Sequence, residues 1–160
     1  MTIEEKATFL QHRFVPLLEQ LPTDTKAAWG KMTAQQMIEH FADSVRIASG
    51  KIVHTEVLTP SEQLERVRQF LESEKPFREN TVNPLMPEVP APVRNPSKSE
   101  AVKELKEELA FFFAVFKKNN LQVTRNPIFG DLNFEQNIQL LYKHAVHHLR
   151  QFSLLVEEKA

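Results

Sequence analysis

Apolar residues along this chain recur at helical spacing in four long stretches and one short one. In residues 2–21, Ile3, Leu10, Phe14, Leu17, Leu18 and Leu21 lie three, four or seven positions apart, so they share one helix face. Thr2 and Glu5 supply a capping box at its start. Pro16 sits inside the pattern and is expected to bend it. A second helix begins after Thr33, with Gln36 three residues on, and Gly50 stops it; Met37, Phe41, Ser44, Val45 and Ala48 form its inner face. Thr59-Pro60-Ser61-Glu62 starts a shorter helix carrying Leu64, Val67 and Leu71. Ser97 and Glu100 open another, with Val102, Leu105, Leu109, Phe112, Phe113 and Phe116 inward and Asn119 and Asn120 at its end. Asn133 and Gln136 cap the last helix, whose stripe is Phe134, Ile138, Leu141, Ala145, Phe152 and Leu155 and whose expected end is near residue 157.

Between these stretches lie two unlike connections. Residues 126–131, NPIFGD, read as a turn. Residues 75–97 hold six of the ten prolines and read as a long loop; a loop of that length is usually functional or mobile. No alternating pattern marks a strand, and only 3 glycines are present. The expected fold is therefore all-α, a four-helix bundle with an additional short helix and a long Pro-rich loop, forming one domain over residues 1–160.

Composition narrows the chemistry. A net charge of −1 gives no reason to expect nucleic acid or an anionic membrane as partner. The absence of cysteine excludes disulfides, thiolate ligands and cysteine nucleophiles. The charged N-terminus carries no signal-peptide pattern, and no run reaches the ~18 apolar residues that span a bilayer, so a cytoplasmic protein is expected.

Histidine is where the pattern turns into chemistry. Residues 143–152 read KHAVHHLRQF. At about 100° per residue, His148 falls about 40° and His144 about 80° to one side of the last helix's stripe, while His147 falls about 140° away, nearly facing solvent. Two imidazoles at i, i+4 suit one metal ion. His40, about 60° from Met37 on the second helix, is the best third ligand, and Asp43 three residues on can orient its ring. His54 falls in a loop and His12 off its stripe. Ser44 lies inward near His40 and reads as a hydrogen-bonded serine. The residue after His144 is Ala145, which rules out the HExxH pattern; none of the three histidines has Glu three positions earlier, as di-iron bundles require.

Two blocks carry a resemblance. Trp29 to His40, WGKMTAQQMIEH, and FGDL (residues 129–132) ahead of Tyr142 to Phe152, YKHAVHHLRQF, resemble the DinB/YfiT-like superfamily, most closely its domain-of-unknown-function branch. The resemblance covers the chain from about residue 5 onward and is weak in the proline-rich loop. It implies a four-helix bundle, commonly a homodimer, with a divalent metal on His40, His144 and His148, and Gln151 matching a glutamine that often follows the last ligand. Members of that superfamily include thiol transferases using bacillithiol or mycothiol and a mycothiol-dependent isomerase.

The leading expectation is a metal-dependent thiol S-transferase or hydrolase acting on a small molecule, with Zn²⁺ or Ni²⁺ and a low-molecular-weight thiol. Lys75, Arg78 and Arg94 in the loop are expected to meet an anionic substrate. The rival is a non-catalytic, stress-related bundle that binds metal or a partner; a third reading packs the histidines with no ligand. Trp29 reads as a plug at the end of the bundle.

Overall fold

A computed structural model describes residues 1–79 and 89–154. Its helices are α1 (Ile3–His12), α2 (Phe14–Gln20), α3 (Ala34–Ser49), α4 (Ser61–Glu72), α5 (Lys98–Lys118) and α6 (Phe134–Gln151), with a two-stranded sheet of β1 (Thr124–Asn126) and β2 (Gly130–Leu132). The chain is thus mostly helical.

Four of the five start signals form as capped starts. At α4 Pro60 is the N-cap rather than the first helical residue, and no side chain caps the helix. The Thr59 hydroxyl donates instead to the Ile128 carbonyl (2.6 Å). Thr2, Thr33 and Asn133 all make reciprocal capping boxes with Glu5, Gln36 and Gln136, and Ser97 accepts from the Glu100 amide. Gly50 ends α3 with φ of 81°, a conformation a side chain would strain. The first expected helix is not one bent rod but two. In a continuous helix the Pro16 ring would collide with the His12 carbonyl and offer it no N–H. The chain instead breaks at Arg13 (φ −119°, ψ −32°), which moves Pro16 into the first turn of α2, where amides are unpaired in any case.

α1, α2, α3, α5 and α6 share one buried core. Leu10, Phe14 and Leu18 meet Met37, Phe41 and Val45, with Leu105, Phe112, Ile138, Leu141 and Leu149 completing it. No helix among the described residues is long and apolar enough to cross a membrane.

The turn expected at 126–131 closes a short hairpin that the sequence did not announce, with Thr124 opposite Leu132 and Asn126 opposite Gly130. Three residues per strand are too few for a two-residue alternation to register. The hairpin has a positioning role. The Thr124 hydroxyl donates to the Ala48 carbonyl (2.8 Å) and accepts from Asn137 Nδ2 (3.0 Å), which ties the end of α3 to the start of α6. The two helices therefore run antiparallel, and His40 comes level with His144.

Of the proline-rich stretch only the ends are described; Pro84 and Pro87 lie outside the described residues. Residues 91–95 strap onto α3: Gln36 Nε2 donates to the Ala91 carbonyl, and the Arg94 and Asn95 amides donate to Glu39. The last helix ends at Gln151, capped at Phe152 and followed by Ser153 in the left-handed region (φ 59°), short of the expected end near 157; Leu155 lies outside the described residues.

Candidate metal centre

α3 contributes His40 and α6 contributes His144 and His148, and their Nε2 atoms converge. His40 Nε2 lies 3.1 Å and His148 Nε2 2.7 Å from His144 Nε2. The candidate ligand atoms all fall within 4.8 Å of one another, so one ion can touch all three. His148 is 3% exposed, while His40 and His144 are half-buried. Phe41, whose ring lies 4.9 Å from that of His144 and 4.7 Å from Phe14, floors the cluster on the core side.

The tautomer of His148 follows from a chain of partners. The Trp29 carbonyl can only accept, so the Gln151 amide nitrogen must be the atom 2.9 Å from it. The Gln151 oxygen then faces His148 Nδ1 at 2.7 Å, and that nitrogen must carry the proton. The His148 Nε2 lone pair is left pointing at the cluster. Burial depresses the pKa of all three imidazoles: His40 to about 4, His148 to about 3, and His144 well below its ordinary value, with the neighbouring imidazoles adding to the effect on His144. At neutral pH the three rings are uncharged. His148 presents its Nε2 lone pair, and with the proton on Nδ1 His40 and His144 present theirs too, the donor set a divalent metal needs.

The docking of Gln151 depends on the loop before α3. Its backbone carbonyl accepts from the Ala28 amide (2.8 Å) while its side chain holds the next residue, Trp29. Gly30 follows with φ of 79°, and a Cβ there would come within 2.9 Å of Gln151 Nε2. Only glycine lets this loop lie so close to the amide.

Other expected residues take different places. Asp43 does not hydrogen-bond the His40 ring. Its carboxylate accepts from Arg46 (2.7 Å) and Arg94 (3.2 Å) and acts on His40 only through charge, opposing the effect of burial. Ser44 donates to the backbone carbonyl of His40 (3.3 Å). Arg94 is engaged within the protein: it pairs with Glu104 and Asp43 and donates to the Glu39 carbonyl. Lys75 and Arg78 sit in the exposed stretch after α4.

His147 is the main surprise. It was expected to face solvent but is half-buried, its ring centroid 5.5 Å from Trp29, 6.1 Å from Phe77 and 5.2 Å from His148. A helical projection gives its direction correctly; the 28–29 loop and the segment after α4 then cover that flank. Lys143 fixes the second cover by donating to the Phe70 (2.6 Å) and Ser73 (3.1 Å) carbonyls.

Comparison with curated proteins yields no match, and comparison with solved structures yields none. A family model described as the DinB superfamily matches residues 7–152, a span that takes in the whole imidazole cluster together with Gln151. With nine-tenths of its length inside that match, the chain belongs to the DinB superfamily.

Proposed function

We propose that the protein is a divalent-metal-dependent enzyme acting on a small molecule, a thiol S-transferase or hydrolase, built as a homodimeric four-helix bundle with His40, His144 and His148 as its metal ligands. The observation that carries this reading is the convergence of three uncharged Nε2 atoms from two helices, one with its tautomer set by Gln151. The family supports it, since DinB-like proteins often bind metal. Three neutral ligands leave the charge of a bound Zn²⁺ or Ni²⁺ uncompensated, and such an ion supplies Lewis acidity that favours the anionic form of a water or thiol at neutral pH. The chain's own contribution is to hold the rings: Gln151 orients His148, Phe41 walls the core side, and burial keeps protons off the nitrogens.

Elemental analysis of the purified protein after dialysis against zinc tests the site. Wild type is expected to hold about one ion per chain and His148→Ala to retain under about a tenth of that. Equal, low contents in the two would overturn the metal site. Given a loaded protein, turnover of electrophiles that requires both metal and a small thiol supports the transferase; turnover with water alone supports the hydrolase.

A further inference from the structure

Beside the imidazole cluster stand three further rings that the metal site does not use. Trp29 comes from the loop before α3, His147 from α6 and Phe77 from the segment after α4. Each is half-buried, so each keeps part of its surface open to solvent. Neither Trp29 nor Phe77 belongs to the set packed against the hydrophobic core. We propose that Trp29, His147 and Phe77 form an aromatic subsite that takes a planar aromatic group of the substrate while its polar end reaches the metal; the proposal rests on the metal reading above.

Three features support it. The first is adjacency: the His147 ring touches that of His148, so the wall begins one ring away from the ligands. The second is rigidity. Trp29 is held through its backbone by Gln151, and Phe77 by the Lys143 contacts to residues 70–73, by its ring contact with Phe70 (5.8 Å) and by a hydrogen bond between its backbone and His147. The third is division of labour. Small-molecule sites are mostly apolar, with a few polar groups or a metal setting orientation. Here the metal ligands supply the polar part and the rings the apolar part.

Charge selects the class of guest. The Lys143 ammonium already lies 5.4 Å from the Phe77 ring centroid, and a metal would add further positive charge nearby. A cationic guest would be repelled, so the rings suit a neutral or anionic aromatic group. Edge-to-face packing on Trp29 and Phe77 favours a flat ring over an alkyl chain of similar area.

The test uses two probes with one chelating head, acetohydroxamate and benzohydroxamate, on the zinc-loaded protein. Trp29 is the chain's single tryptophan, so its fluorescence reports arrivals at the wall. Benzohydroxamate is expected to bind about tenfold more tightly than acetohydroxamate, the scale of one good ring contact. In Phe77→Ala, and in Trp29→Ala read by calorimetry, that preference should fall to about threefold or less, with zinc content and acetohydroxamate affinity unchanged. If Trp29→Ala fails to fold, Phe77→Ala decides alone. Equal affinities in wild type, or a preference that survives the substitutions, would overturn the subsite while leaving the metal site standing. A wild-type chain that takes up no zinc would overturn both.

Discussion

Gln151 decides which nitrogen of His148 faces the other imidazoles, and it does so because a backbone carbonyl leaves its amide a single orientation. Gln151→Leu removes the acceptor for Nδ1–H without adding charge. The expected result is a metal dissociation constant raised about 10–100-fold with helix content intact, the usual effect of losing a partner behind a ligand. Gly30→Ala is expected to act in the same direction from outside the helix, because its Cβ would press on the same amide. Competition with a zinc indicator reads both, and unchanged affinity in both would show that Gln151 does not orient the ligand. At this scale the sequence was legible where an angle sufficed. The i, i+4 pair and His40 needed only the direction of each ring. Asp43 misled because its three-residue spacing to His40 is matched by the same spacing to Arg46, and Arg94 arrives from 51 positions away to share its carboxylate.

At the scale of elements, one side chain of α3 receives both the 94 and the 95 amide of the strap, beside the Gln36 bond to Ala91 and the Arg94 pairs with Asp43 and Glu104. Glu39, 5% exposed, accepts from the Arg94 amide, both nitrogens of Asn95 and Gln35 Nε2. Burial pushes its carboxyl pKa up, but these hydrogen bonds outweigh burial and hold it below its ordinary value. Glu39→Gln keeps the shape and turns an acceptor oxygen into a donor that faces other donors. It should cost about 1–3 kcal/mol of stability, the range for buried donors left unmatched. Hydrogen exchange should quicken at the Arg94 and Asn95 amides and not along α6; protection kept at 94–95 would mean that other contacts hold the strap. Elements with caps and a long apolar face were legible from sequence. The break at Arg13 and the hairpin were not, for separate reasons. A proline announces a disturbance without saying which turn will absorb it. Strands of three residues draw their stability from Thr124, Ala48 and Asn137, partners that no local pattern contains.

Across the whole molecule, folding, proton uptake and the proposed metal uptake would form one linked equilibrium. In the folded, metal-free chain His40 is held to about 4, His148 to about 3 and His144 well below its ordinary value. In the unfolded chain each returns to about 6.5. Between those values the unfolded chain binds protons that the folded chain refuses, so the unfolded state gains as pH falls. Stability of the metal-free protein is therefore expected to be full above about 6.5 and to decline below it, each histidine contributing up to ~1.4 kcal/mol per pH unit. The metal increment obeys a different window. A cation at about a hundredfold excess over its dissociation constant adds about 2.7 kcal/mol, and it competes only with protons on the folded site. That competition begins near pH 4, where His40 takes up its proton, and not near 6.5. Melting curves from pH 7.5 down to 4.5, with zinc and with a chelator, separate the two. Both curves should fall together below about 6.5 while the gap between them persists, and His148→Ala should show no gap at any pH. A gap that closes near 6.5 would mean that the three rings titrate as free imidazoles do in water, and the buried, proton-free site described above would not exist in solution.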